Sequence, residues 1–353
     1  FRSVRQFTHE NTVASRDYSE VDNGIKTCMY AGYPDLYMQF SKKNEFVFQP
    51  DWYRGVEYPK EQERGYASTE DLYVPGYFEM PIKKGESIVF SAAVSSIKPS
   101  VLKKLFDEEV AERNPRDNFF HCLVNAAHQF HIRKKNDDRY LLAGYPWFKC
   151  RARDTFISLP GLTLSIEEQD YFELVMKTAE KGLREFMAGK PLTVQIAEIE
   201  QPDVLLWAIW AIQQYAKEAG LEKCRDMYGQ LVKDIVKFIE SGKHNNLQLR
   251  DNGLLYSNGK DKAVTWMNST ANGYPVVPRT GYIVEFNALW YNALCFAQSI
   301  AELDGDKALA EQLNERAAVC QKSFVDTFLN EHGYLFDYVD ENPRDWSVRP
   351  NMI

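Results

Sequence analysis

No apolar run in this 353-residue chain approaches the roughly 20 residues that a helix needs to cross a bilayer. No membrane partner is therefore expected. Positive charge is also short: 42 Lys and Arg stand against 50 Asp and Glu, a formal net charge of -8. That balance argues against a general nucleic-acid binder, which carries a basic face. No leader pattern precedes Phe1. The chain opens inside a polar, aromatic stretch, so its natural start is expected upstream. The six cysteines, at 28, 122, 150, 224, 295 and 320, form no C-x-x-C pair, and none stands at zinc-ligand spacing from histidines. They read as buried free thiols in a reducing cytoplasm. Low-complexity tracts and internal repeats are missing as well.

What the chain has in excess is aromatic: 14% of its residues, with 20 Tyr, 21 Phe and 7 Trp. Large cores use such rings, and so do carbohydrate sites, where a flat ring stacks on the C–H face of a pyranose. Composition does not separate the two.

The character of the chain changes near residue 98. Before it, short apolar or alternating runs (Ile25 to Tyr30, Leu36 to Phe40, Glu45 to Phe48, Ser87 to Val94) are broken by Asp22-Asn23-Gly24 and Lys83-Lys84-Gly85. This is a strand-and-turn pattern, read as the end of an antiparallel β-sandwich over residues 1–98. A helical linker is expected over 99–115. From 116 to 353 the period is helical: Phe119, Phe120, Leu123, Ala127 and Phe130 share a face. Further helices are expected at about 154–164, 166–188, 202–219, 225–241, 284–303 and 307–330. Pro202-Asp203 suits a helix start, and Gly220 and Gly242 suit helix ends. Long connections at about 133–153, 189–201 and 243–283 are rich in Trp, Tyr, Pro and Arg, and loops of that length are usually functional. Seven or so helices joined in this way suggest an (α/α)6-type toroid, whose complete form has twelve. The toroid is expected to be incomplete in this chain and the remainder all α.

Two clusters carry chemistry. In the first, Tyr145, Trp147 and Phe148 precede Arg153-Asp154 at the mouth of an apolar helix. A planar donor, an acceptor carboxylate and a ring are what a neutral sugar needs. The plain alternative is that Asp154 caps the helix and Arg153 makes a surface salt bridge. In the second, Trp266, Asn268, Arg279 and Glu285 surround a Pro/Gly-rich loop that runs into a helix. Glu285 near a helix N-terminus suits the dipole in any protein, and Trp266 can be a packing residue.

Ala143-Gly144-Tyr145-Pro146-Trp147-Phe148, Arg153-Asp154-Thr155 and Leu159-Pro160-Gly161-Leu162 resemble the A-G-Y-x-W-F-x-x-W-G-R-D-T and L-P-G-L segments of prokaryotic glycogen debranching enzymes. Thr265-Trp266-Met267, Pro278-Arg279-Thr280-Gly281 and Val284 to Asn292 resemble that family's T-W-M-D and P-R-x-G-x-x-V-E-I-N-A-L-W-Y-N. Arg349-Pro350-Asn351 resembles its R-P-N. Thr8 to Asn11, Trp52-Tyr53-Arg54, Glu57-Tyr58, Glu63 to Gly65, Glu70 to Leu72 and Pro75-Gly76 look like its sandwich domain. The resemblance implies an inverting amylo-α-1,6-glucosidase acting on glycogen or another branched α-glucan. It implies sugar binding by Tyr145, Trp147, Arg153, Asp154, Trp266 and Arg279, with no metal and no organic cofactor. The general base is expected in helices beyond Ile353.

Two positions depart from the pattern. The W-G before Arg-Asp is Arg151-Ala152, and the family's acid is Asn268. An amide has no titratable proton, and losing a general acid typically costs ~10²–10⁴ in rate. Three readings follow. Glu285 serves as the acid; or the protein is a weakly active or non-catalytic glucan binder; or the chain carries an inactivating Asp→Asn change. Hydrolysis of another α-glucoside is the remaining enzyme alternative.

Overall fold

The computed structural model describes residues 7–134, 136–144, 148–340 and 344–352. It divides into two compact units, Phe1–Asn125 and Ala126–Ile353.

In the first unit, β1 (Tyr18–Val21), β2 (Gly24–Thr27), β3 (Leu36–Phe40) and β6 (Phe90–Ala93) form an antiparallel sheet in the order β1-β2-β3-β6. A long hairpin, β4 (Glu45–Glu57) with β5 (Thr69–Glu79), makes a second sheet and carries a short helix, α1 (Pro59–Glu63), at its tip. Rings join the two sheets: Tyr18 meets Phe46, and Phe40 meets Phe78, each at 4.9 Å between centroids. The hairpin reaches past the expected Glu45–Phe48 run because two register shifts, at Phe48/Asp51 and Tyr53/Val56, absorb Pro50 and Gly55 without ending the pairing. Helix α2 (Pro99–Glu112) starts at a proline, whose missing N–H costs nothing in the first turn. Helix α3 (Phe119–His128) follows and runs past Asn125 into the second unit.

Among its described residues, the second unit holds the short pair β7 (His131–Arg133) and β8 (Arg139–Leu141) and, after them, six α-helices. These are α4 (Ala152–Leu162), α5 (Gln169–Met187), α6 (Val204–Ala219), α7 (Leu221–Glu240), α8 (Val284–Leu303) and α9 (Lys307–Phe328). Helix α4 packs on α6 and α6 on α8, while α5 packs on α7. The sequence explains this division. α6 and α8 are apolar nearly all round and bury Val204, Ile209, Ile212, Phe286, Trp290 and Ile300. α5 and α7 bury one stripe each and present charge outward. Gly220, at φ 89°, ends α6 and opens α7.

The remainder is not all α. The long 243–283 connection folds into β9 (Gln248–Leu249), β10 (Leu255–Ser257) and β13 (Gly281–Ile283), which join β14 (Tyr338–Val339) in the order β14-β13-β10-β9. A further hairpin pairs β11 (Thr270–Ala271) with β12 (Tyr274–Pro275). Strands of two or three residues are too short to show a period of two. Gly281 makes the β13–β14 contact possible: at φ +102°, a Cβ there would stand 2.2 Å from the carbonyl oxygen of Val339.

All six cysteines are free; Cys150, Cys224 and Cys320 are buried as expected, but Cys122 is exposed. Among the described residues, no helix is long and apolar enough to cross a membrane.

Candidate active site

Helix α6 supplies the first wall of the site. Trp207 and Trp210 lie one turn apart and therefore on one face, with their rings 5.5 Å apart and at 85°. With Trp266 they line a cavity of about 600 Å³ whose other walls include Glu285, Leu289 and Asn292 from α8 and Asn351 from the chain end. Trp266 is half exposed, and its ring is aimed by an Nε1–H donated to Oδ1 of Asn351 at 2.7 Å. It is therefore a wall of the cavity and not a core residue. Asn292 also lines it, and its buried Nδ2 has no hydrogen-bond partner among the described residues.

Glu285 stands in the first turn of α8. Its carboxylate is held from behind by Arg279, which donates Nη1 to Oε1 and Nη2 to Oε2, the latter at 2.6 Å. Arg279 also donates Nη2 to Oδ1 of Asp337 at 2.9 Å. Asp337 is fully buried and in addition accepts Arg349 Nη1 and Asn351 Nδ2, both at 2.7 Å. The chain Glu285–Arg279–Asp337–Asn351–Trp266 thus ties a carboxylate and a ring of one cavity to a single buried acid. Burial lifts the Glu285 carboxyl above the usual range, with Arg279 pulling the other way.

A second cavity, of about 450 Å³, is lined by Arg151, Arg153, Glu198, Asp261, Thr265 and Asn268, among others. Thr265 and Asn268 face it, while Trp266 faces the first cavity, so one segment serves both. Asn268 is exposed and holds no hydrogen bond among the described residues. Arg153 is buried and grips Asp203 through Nε at 2.6 Å and Nη2 at 2.8 Å. Asp203 also accepts Nε1 of Trp207 at 3.2 Å, which links this cavity to the tryptophan wall of the other. Glu198 sits at φ 61°, a left-handed conformation that costs a non-glycine residue about 1 kcal/mol or more. Its carboxylate reaches Arg151 at 3.5 Å.

The expected site residues fare differently. Glu285 and Trp266 share one cavity, and Arg153 and Asn268 share the other. Tyr145 and Trp147 lie outside the described residues. Arg279, expected to bind sugar, is 1% exposed and lines neither cavity; its planar fork is used on Glu285 and Asp337. Asp154 is exposed and also lines neither cavity. The plain alternative for that pair fails too: the N-cap of α4 is Arg151, no side chain caps it, and the Arg153 ion pair is buried. The sequence offers Asp203 only as a helix start and Asn292 only as the end of a matched motif, and it gives no site role to Asp337, Trp207, Trp210 or Glu198. A Trp pair at i, i+3 beside an Asp at a helix start was a visible signal for three of them.

Two family models match the chain. The family model described as Amylo-alpha-1,6-glucosidase matches residues 125–353, and that described as Glycogen debranching enzyme N terminal matches residues 1–89. No curated relative matches the chain. Among solved structures, a Streptococcus pneumoniae protein is similar over 69% of this chain and 68% of its own, at 13% identity and a TM-score of 0.42. It is described as a metal-independent alpha mannosidase in a non-productive complex with alpha-1,6-mannobiose. A bacterial glucoamylase complexed with acarbose is similar over 90% of this chain, at 14% identity and a TM-score of 0.43. The chain spans about half of that glucoamylase, 49% of its length.

Proposed function

The chain belongs to the amylo-α-1,6-glucosidase family, and from that premise we propose that it hydrolyses α-1,6-glucosidic branch points in glycogen or a limit dextrin, with inversion. The observation that carries this reading is Glu285, an oriented carboxyl in a cavity walled by Trp207, Trp210 and Trp266. Indole rings offer platforms for the C–H face of glucose, and Asn292 adds a polar side chain to the same wall. A general acid must carry its proton at working pH; burial raises the Glu285 carboxyl toward that form, while the two N–H groups of Arg279 favour the carboxylate. Arg279 fixes its orientation. Inversion needs a second carboxylate about 6.5–9.5 Å away, on the far side of the sugar, to activate water. We place the six helices in an (α/α)6-type toroid, with α4, α6 and α8 toward the inner ring; their mutual packing supports that arrangement. The two sheets of the first unit are proposed as a sandwich. Six unpaired cysteines support a cytoplasmic location.

A second reading has one observation in its favour. Among the described residues, Glu198 and Asp261 are the carboxylates that line the same cavity as Asn268, where the resemblance puts an acid. Glu198 is held there in a strained backbone conformation. In this reading Glu198 supplies the proton that Asn268 lacks.

Glucose release from a limit dextrin tests the function, with glucan retention on an affinity gel measured beside it. Release that falls at least 100-fold in Glu285→Gln with retention unchanged supports the first reading. The same loss in Glu198→Gln instead moves the acid. Retention without release from the wild type leaves a glucan binder and overturns the hydrolase.

A further inference from the structure

One cluster of ligating side chains lies outside both cavities. His128 closes α3, His131 opens β7, and Glu168 stands just before α5. Nε2 of His131 is 2.9 Å from the carbonyl oxygen of Leu162. A carbonyl only accepts, so that nitrogen carries the proton, and the neutral ring leaves a bare lone pair on Nδ1. That lone pair faces Glu168, with Nδ1 3.7 Å from Oε2. The ring is not free to turn away. It lies flat on Tyr171, with centroids 3.9 Å apart and planes at 10°. A lone pair set against a carboxylate is repulsive unless the ring takes a second proton or a cation stands between them. On the other side of the same carboxylate, Nε2 of His128 is 2.5 Å from Oε1. The three ligating atoms all lie within 4.8 Å of one another.

We propose that His128, His131 and Glu168 form a binding site for a divalent transition-metal ion, zinc foremost. Two imidazoles and one carboxylate are a donor set that zinc takes readily. The Leu162 carbonyl is the outer partner that a metal-bound imidazole normally has. Zinc sits about 2.0–2.2 Å from such atoms, so ligand atoms in a tetrahedron are roughly 3.4 Å apart. Nε2 of His128 therefore has to move back by about 1 Å on binding. Its side chain is 38% exposed, so it has room to do so. Glu168 is 34% exposed, which leaves a fourth position open to water. The ion would pin the end of α3 and the start of β7 to the N-terminal end of α5. None of the three residues lines the cavities of Glu285 or Asn268, so the role is structural and separate from glycoside hydrolysis.

The test is a zinc titration of the chelator-stripped protein, in competition with a chromogenic chelator of known affinity. Wild type is expected to take up one equivalent and to gain in Tm. His128→Gln and Glu168→Gln, both at half-exposed positions that tolerate change, should each weaken binding at least 10-fold and lose the gain in Tm. Cys122→Ser, which removes the exposed thiol, should bind like wild type. Zinc uptake that is unchanged in His128→Gln and Glu168→Gln overturns the site. So does folded wild type that retains no zinc, as for a purely hydrogen-bonded His–Glu–His cluster, or uptake that is lost in Cys122→Ser.

Discussion

Arg153 and Asp203 face each other at 2.6 and 2.8 Å, fifty positions apart in sequence, with side chains 8% and 3% exposed. Breaking a buried pair of this kind leaves an uncompensated charge, which typically costs 3–5 kcal/mol. Asp203→Ala should therefore lower the unfolding free energy by about 3–5 kcal/mol in urea denaturation. It should also release the Trp207 ring, which Asp203 holds through Nε1. A loss below about 1 kcal/mol, the scale of an exposed pair, would mean that the pair is not buried in solution.

That relationship also shows what the sequence could and could not disclose. Pro202-Asp203 marked a helix start, and Asp203 is indeed the N-cap residue of α6, yet its side chain caps nothing. The carboxylate was taken by Arg153, a partner no local pattern reveals. Arg279 and Glu285 stood out because they belong to a Pro/Gly-rich loop that runs into a helix. Asp337, the buried acid that organises them, sits in a loop without periodicity and was invisible. The helices were legible from their apolar spacing. The small strands between Gln248 and Ile283 were not, because pairing and not pattern defines a two-residue strand. Asp154 was expected beside Arg153 in the site, but neighbours on a helix point about 100° apart. One is buried and the other exposed.

Asn268 gives a second prediction. It is exposed in a cavity with Arg153, Glu198 and Lys262 and is tied to nothing among the described residues, so a carboxyl fits there without repacking. With Glu285 as the acid, Asn268→Asp should leave glucose release from a limit dextrin unchanged, whereas a rise of at least ~10-fold, a fraction of the usual general-acid contribution, would put the acid at this position. An unchanged rate would show that the acid has left this position, as the reading on Glu285 requires.

His244 makes stability depend on pH. Its ring lies edge-on to Phe186, and Nδ1 accepts the backbone N–H of Asn246 at 3.1 Å. Burial drives its pKa down from 6.5 to about 4. The unfolded chain then binds the proton more tightly than the folded one. The contribution is fully present above pH 6.5 and is lost as pH falls through about 4. The whole span amounts to about 3 kcal/mol. His244→Gln keeps an acceptor for Asn246 but cannot titrate. Its unfolding free energy should change less between pH 6.5 and 4 than that of wild type. Equal slopes would place the His244 ring in water.

The central claim is that Glu285 donates the proton to the departing sugar, and substrate dependence tests it most directly. An α-1,6-linked sugar is a poor leaving group and needs protonation; the fluoride of α-glucosyl fluoride needs little. The measurement is kcat/KM of Glu285→Gln on both substrates, each relative to wild type. The account predicts a loss of ~10²–10⁴ on the limit dextrin, the usual worth of general acid catalysis, and a loss below ~10-fold on the fluoride. Equal losses on both substrates, or none on the dextrin, would contradict it.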